Sequence, residues 1–490
     1  MRRSSGILSV PRPVFARSCR AILCAGLLAA FETGCVQFQP RPLTPETSAA
    51  DLQARSLSAP ALKVFLEKNL GHELSAWPLK SWDFDQLTLA AFYYQPSLDV
   101  ARADWRVAQG AITTAAGRPN PNVSVTSGYD SQIPGAFSPW IPAVTFDVPL
   151  ETAGKRERRL EQARFLSESA RLSIASAAWE VRAGLRAALL DFVVASQRSA
   201  LLERQVALQR QISERLRQEL QAGAIATAET TASQVAFAKA AADLADARSQ
   251  LAAARVRVAA AIGVPAAALD GLDLSYDLSQ PAPGAELTSA EARIMALRGR
   301  ADVLAALADY AASQSALQLE IAKQYPDVHL APGYQWNQNS TGDNEWQLGL
   351  TVELPLLNQN QGPIAEATAR RTASAARFLQ LQAKVVADID SAESECRAGR
   401  ENLDALGQVA AAQKTQYENT AAQFKAGAAG QLEVLSAQLE YSAAALAELD
   451  ATAKLQAALG HLEDALQRPV AVIRRDAIEQ NPLSAKEEHL

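Results

Sequence analysis

The stretch Glu345-Trp346-Gln347-Leu348-Gly349-Leu350-Thr351-Val352-Glu353-Leu354 decides the fold of this chain. Trp346, Leu348, Leu350, Val352 and Leu354 alternate strictly with Glu345, Gln347, Gly349, Thr351 and Glu353. Successive side chains of a strand point to opposite faces, so this pattern sets one face in an apolar medium and the other in water. A weaker version begins at Trp140, with Pro142, Val144, Phe146 and Val148 set against Ile141, Ala143, Thr145, Asp147 and Pro149. Two further strands are expected at 122–131 and 327–337, carrying Tyr129, Tyr334 and Trp336 towards their outer ends. Alternating strands of about ten residues with aromatics near a boundary are the signature of a membrane β-barrel. The residues expected to face lipid are Trp140, Val144, Phe146, Trp346, Leu348, Leu350 and Val352. The alternative is a soluble sheet packed on its own helices.

The chain is also a tandem duplication. Pro121-Asn122-Val123 with Gly128-Tyr129 returns as Pro326-Asp327-Val328 with Gly333-Tyr334, an offset of 205. Val148-Pro149-Leu150 returns as Leu354-Pro355-Leu356 at 206, while Ala222-Gly223-Ala224 returns as Ala426-Gly427-Ala428 and Pro265 as Pro469 at 204. Landmarks of such different chemistry holding one spacing define a repeat unit of roughly 200 residues.

Between the landmarks lie Ala-, Leu- and Gln-rich segments with apolar residues at helical spacing, expected as helices at 87–117, 155–222, 226–262, 289–323, 364–426 and 432–466. A helix over 155–222 would be about 100 Å long, and must pack side by side with equals, its abundant Ala letting axes approach closely. The expected organisation is a signal peptide (1–34), an N-terminal strap (35–86), a first repeat (87–265), a linker (266–288), a second repeat (289–469) and a polar tail (470–490). The Pro-rich start of the strap, Gln39-Pro40-Arg41-Pro42-Leu43, is read as extended and lying on the body.

At the amino terminus, five Arg precede the apolar run 21–31, which ends at Thr33-Gly34-Cys35. A basic segment, a short apolar core and a small-residue processing site make a secretory signal too short to span a bilayer. The order resembles a bacterial lipoprotein signal, which implies cleavage before Cys35 and acylation of that residue. Cleavage takes the net charge from −6 to −10. An acidic chain with no Lys/Arg-rich patch is not built for nucleic acid. Cys396 would then be the only other cysteine of the mature chain, leaving no intramolecular disulfide.

Four strands cannot close a membrane barrel, because single-chain barrels start at about eight strands and an open edge would face lipid unpaired. Closure must come from other copies of the chain. Here the sequence resembles the TolC-type outer-membrane efflux proteins over nearly everything from Leu87 to Pro469. Val148-Pro149-Leu150-Glu151 with Ala153-Gly154-Lys155-Arg156, and Leu354-Pro355-Leu356-Leu357-Asn358-Gln359-Asn360-Gln361-Gly362, look like the cobalt-zinc-cadmium branch, with Ala153 in place of a glycine and Gln359 in place of an arginine. The resemblance implies a mainly α chain with a membrane β-barrel: a homotrimer with a 12-stranded barrel and a long α-helical barrel. It implies a passive duct in outer-membrane lipid that meets a periplasmic adaptor and an inner-membrane pump of the resistance-nodulation-division type. A type I protein-secretion duct is a rival within the family, and a periplasmic coiled-coil adaptor is a rival outside it.

The Gly turns at Ala222-Gly223-Ala224 and Ala426-Gly427-Ala428 lie at the far end of the long helices from the strands. They are candidate adaptor-docking tips. Six residues beyond each Gly stand Glu229 and Glu433, candidates for the pore entrance, where resemblance places acidic residues near Glu433 and symmetry would make a cation-attracting ring. Metal-ligand chemistry is thin: His72, His329, His461 and His489 show no helical pairing, so no metal site or other cofactor is expected. His329 is read as a lumen or interface residue. No nucleophile elbow, P-loop, dinucleotide fingerprint or HExxH is present, so no catalytic residue is assigned and the chain is not read as an enzyme.

Overall fold

A computed structural model describes residues 37–132, 138–279, 290–336 and 344–468. The expected signal peptide, Cys35, the end of the linker and the polar tail lie outside the described residues. Contacts divide the chain after Ala54. Among the described residues before this point there is one exposed helix, α1 (Pro45–Gln53), opened by Thr44, whose side chain accepts from the Thr47 N–H.

The segment expected as an extended strap is instead partly helical, through α1 and α2 (Pro60–Leu70). Pro45 and Pro60 each occupy the first helical position, where no N–H is needed and the fixed φ already suits the helix. Leu62, Phe65 and Leu66 of α2 enter a core with Trp82, Leu87, Phe92, Leu185, Leu189, Val258 and Ile262. A two-residue strand, β1 (Ser81–Trp82), pairs in parallel with β4 (Asp273–Leu274), so the inter-repeat linker also contributes structure.

Each repeat then follows one plan. Helix α3 (Phe84–Tyr94) and α4 (Pro96–Ala116) precede β2 (Asn122–Tyr129) and β3 (Trp140–Leu150), and then α5 (Lys155–Gln221) and α6 (Thr227–Ile262). The second repeat gives α7 (Ala290–Gly299), α8 (Ala301–Ala322), β5 (Val328–Gln335), β6 (Glu345–Val352), α9 (Gln361–Lys425) and α10 (Gln431–Leu466). The single helices expected at 87–117 and 289–323 are each broken in two. Gln95 and Arg300 are both extended at the break, and Pro96 starts α4 without needing an N–H partner.

The breaks have a tertiary cause that repeats at an offset of 204–205. Gln95 Nε2 donates to the carbonyls of Ala260 and Ala261, at 2.9 and 2.8 Å, covering the open end of α6. Arg300 donates to the carbonyls of Asp464 and Ala465 at the end of α10. Each broken helix thus abuts the returning helix, and the two shorter helices lie in series along a long one. In lateral order the array runs α4 with α6, then α5, then α8 with α10, then α9. Ala178, Ala188, Ala195 and Ala247 are among the buried residues of its contact stripes.

The four long strands form one antiparallel sheet in the order β2-β3-β5-β6. Among the described residues β2 and β6 are each paired on one side only, so both edges of the sheet stay open within one chain.

Candidate channel surfaces

Register sorts the sheet into two chemically distinct faces. Tyr129 pairs with Trp140, Val125 with Val144 and Val123 with Phe146. Val144, Val148 and Leu150 pair with Tyr334, Leu330 and Val328. These in turn pair with Trp346, Leu350 and Val352, while Pro332 pairs with Leu348. Because facing residues share a side, Trp140, Val144, Phe146, Trp346, Leu348, Leu350 and Val352 all fall on one apolar face. Trp346, Leu348 and Leu350 are 84, 75 and 66 % exposed, too much apolar surface to be left in water. At one end Tyr129 meets Trp140, and Tyr334 meets both Trp336 and Trp346, with ring centroids 4.7–5.1 Å apart. The opposite face carries Ser124, Thr126, Ala143, Thr145, Asp147, His329, Gly333, Gln335, Gln347 and Thr351.

The motif beyond β3 is a joint between strands and helices. Ala153 (φ 55°) and Gly154 (φ 71°) turn the chain through the left-handed region. Lys155 Nζ then reaches the Tyr325 carbonyl at 2.7 Å and Asp327 at 2.8 Å. Arg159 grips both carboxylate oxygens of Glu151 and donates to the carbonyls of Ala115 and Gly117. In the second repeat Asn360 (φ 62°) makes the matching turn and binds the carbonyl and carboxylate of Glu320.

At the other end of α5 and α9, the two Gly turns are the same motif. Gly223 (φ 74°) and Gly427 (φ 77°) are left-handed, and the N–H groups of Ala224 and Ala428 reach back to the carbonyls of Glu219 and Gln423. This is the Schellman closure that favours Gly. No atom stands within 4 Å of a Cβ added at either Gly, so within one chain the conformation, and not a close neighbour, demands it. Glu433 accepts the Gly430 N–H at 3.2 Å, an acidic group at a helix start where the dipole favours it. Glu229 holds the corresponding exposed position in α6.

Sequence reading missed a buried charge network joining the repeats. Arg182 donates through both Nη atoms to Glu463 at 2.9 Å each, and Arg186 binds Glu463, Asp464 and, at 2.7 Å, the Gly460 carbonyl. Phe84 and Trp179 flank the Arg182 guanidinium at 4.9 and 5.4 Å. A Cβ at Gly460 would lie 2.6 Å from Arg186 Nε, so this helical Gly makes room for the side chain. Burial pushes the Asp464 carboxyl above its ordinary range against the opposing pull of Arg186. The available signal was an Arg pair four residues apart within the apolar stretch 179–190, with Glu463-Asp464 inside an Ala/Leu run.

A model of the family described as outer membrane efflux protein matches residues 91–264 and 294–467. The chain belongs to the outer membrane efflux protein family. The match falls in two blocks, one in each repeat. The chain is 23 % identical over 343 residues to the cobalt-zinc-cadmium resistance protein CzcC of Cupriavidus metallidurans, covering 70 % of this chain and 79 % of that protein. Among solved structures it resembles the outer membrane protein VceC of Vibrio cholerae, with a TM-score of 0.65 and 17 % identity over 79 % of this chain and 97 % of that one. It also resembles the outer-membrane channel OprN, with a TM-score of 0.64 and 21 % identity over 89 % and 99 % of the two chains. These likenesses give the fold, helical barrel with β-barrel. The family is one of channels, not enzymes, and its place is the outer membrane. Among the described residues no helix is long and apolar enough to cross a membrane, and no three His, Cys, Asp or Glu side chains form a metal-holding group.

Proposed function

We propose that this protein is the outer-membrane duct of a tripartite efflux system, closed as a homotrimer and passing metal cations or small toxic solutes delivered by a periplasmic adaptor and an inner-membrane resistance-nodulation-division pump. The sheet carries this reading: four strands in register, one face wholly apolar but for Ser127, and two open edges. An open edge in lipid leaves backbone groups without partners, so neighbouring copies must supply them. Three copies make a 12-stranded barrel, its apolar face towards lipid and its polar face lining the lumen. The same symmetry closes three four-membered helix arrays into one tunnel.

In this reading the chain is organised as a lipid-anchored strap held at Cys35, two duct repeats at 87–265 and 289–469, a linker and a tail. The Gly tips around Gly223 and Gly427 receive the adaptor, and Glu229 and Glu433 flank the entrance and favour cations. The likeness to CzcC favours metal ions as cargo over the other solutes. The test is planar-bilayer conductance of the detergent-purified chain, with its mass in detergent measured on the same sample. A trimer that conducts with cation preference, lowered in Glu433→Gln, supports the duct and the entrance role. Unchanged selectivity in Glu433→Gln removes that residue from the entrance. A monomer or dimer that never conducts overturns the duct.

A further inference from the structure

We infer that His329 and Asp147 form an open, low-affinity site for a divalent transition-metal cation on the polar face of the sheet, one site per chain. The inference rests on the reading above that this face lines the lumen. His329 Nδ1 lies 3.1 and 3.2 Å from the two carboxylate oxygens of Asp147, and both side chains are partly exposed, at 40 and 33 %. The pair crosses the β3–β5 seam, where the two repeats meet. Asp147 stands opposite Asn122 and His329 opposite Thr351, so a polar belt runs across all four strands at this level.

Geometry gives the pair both a structural reason and a chemical consequence. Trp336 N–H donates to the Pro142 carbonyl, which shows that even-numbered residues of β5 direct their N–H towards β3. Pro332 has none to direct, and no backbone pairing joins β3 to β5 between Thr145–Gly333 and Val148–Leu330. The Asp147–His329 contact spans this gap. When Nδ1–H of a neutral imidazole donates to a carboxylate, Nε2 is fixed as the acceptor and its lone pair is aimed away from that carboxylate. This is the arrangement by which proteins orient and strengthen a metal-ligating His. Imidazole nitrogen with carboxylate oxygen nearby suits zinc-like divalent ions over magnesium. With His329 Nε2 as the one protein ligand and Asp147 as its orienting partner, most of the coordination shell is left to water. For a duct that is an advantage, since a permeating ion must bind well enough to enter and weakly enough to leave.

The test is zinc chloride titrated against single-channel current of the full chain, with magnesium chloride as control, in wild type, His329→Gln and Asp147→Asn. Wild type should show zinc-dependent block or dwell events that magnesium does not reproduce. His329→Gln should raise the half-blocking zinc concentration by more than tenfold. Asp147→Asn keeps an acceptor for the Nδ1 proton, so its shift should be smaller, about tenfold. Equal zinc block in wild type and His329→Gln, or equal effects of zinc and magnesium, overturns the site. Equilibrium dialysis of zinc against the same detergent-purified proteins provides a reading independent of conduction. If no variant conducts, the duct reading fails, and a zinc stoichiometry unchanged by His329→Gln fails the site separately. A loss of heat stability in His329→Gln with unchanged zinc binding assigns the pair to sheet stability alone and also overturns the site.

Discussion

Glu463 binds two arginines across the joint between the two repeats. It is nearly buried and serves two guanidiniums whose other partners include Asp464 and a backbone carbonyl. Removing one member of a buried pair leaves an uncompensated charge, at about 3–5 kcal/mol. Glu463→Ala should therefore lower unfolding stability by that order in denaturant titration of the detergent-purified chain; a midpoint within error of wild type would show that the network carries little. Asp464 and Asp85 add a pH dependence. Burial raises both carboxyls above 3.8, with Asp83 adding to the effect on Asp85 and the arginines opposing it at both. A raised carboxyl binds its proton more tightly when folded, so its stabilising contribution is complete below 3.8 and is lost as pH climbs through the raised value. Over that window the melting temperature should fall with rising pH on their account. Asp464→Asn should flatten this part of the profile, and a wild-type slope in the variant would remove Asp464 from the account.

At the scale of elements, the sheet was legible because its period is two and its medium differs on the two sides. Leu350 and Thr351 are adjacent in β6 yet face opposite media in the proposed barrel. A cation in mid-membrane costs about 2–4 kcal/mol on a lipid face, and far less in a water-filled lumen. Leu350→Arg should therefore cut recovery of the heat-modifiable form from outer membranes, whereas Thr351→Arg should be recovered as wild type. Equal recovery of both would mean that the apolar face does not meet lipid. The helices were less legible at their ends. Pro40 and Pro42 suggested extended chain, but Pro45 and Pro60 begin helices, since the residues C-terminal to each Pro set the outcome. The break at Arg300 has no Pro to announce it. It is set by the end of α10, whose carbonyls Arg300 covers from 164 residues away or more.

For the molecule as a whole, the proposed lipid anchor at Cys35 and barrel insertion should be separable. The barrel alone should hold the chain in the outer membrane, with Cys35 adding an acyl anchor. Cys35→Ala should abolish metabolic labelling with palmitate while the protein still fractionates with the outer membrane. Label that survives the substitution would place the acyl group elsewhere or remove it from the account. Within one chain Glu433 is a helix-capping group; in the proposed trimer, three copies of it would make the entrance ring.

The duplication, the alternating strands, the long helices and the Gly turns were legible in the sequence, because each is written in local periodicity or in one residue's conformational freedom. From four strands it also followed that one chain could not close. Tertiary structure alone decided where the helices break, how the prolines of the strap are used, and that Arg182 and Arg186 meet Glu463 and Asp464. Arg182 and Glu463 lie 281 residues apart. Contacts at such separation depend on which helix faces are brought together in the array, and no window of sequence contains both partners. The His329–Asp147 pair is of the same kind. Each residue is ordinary in its own strand, and the register of β3 on β5 joins them.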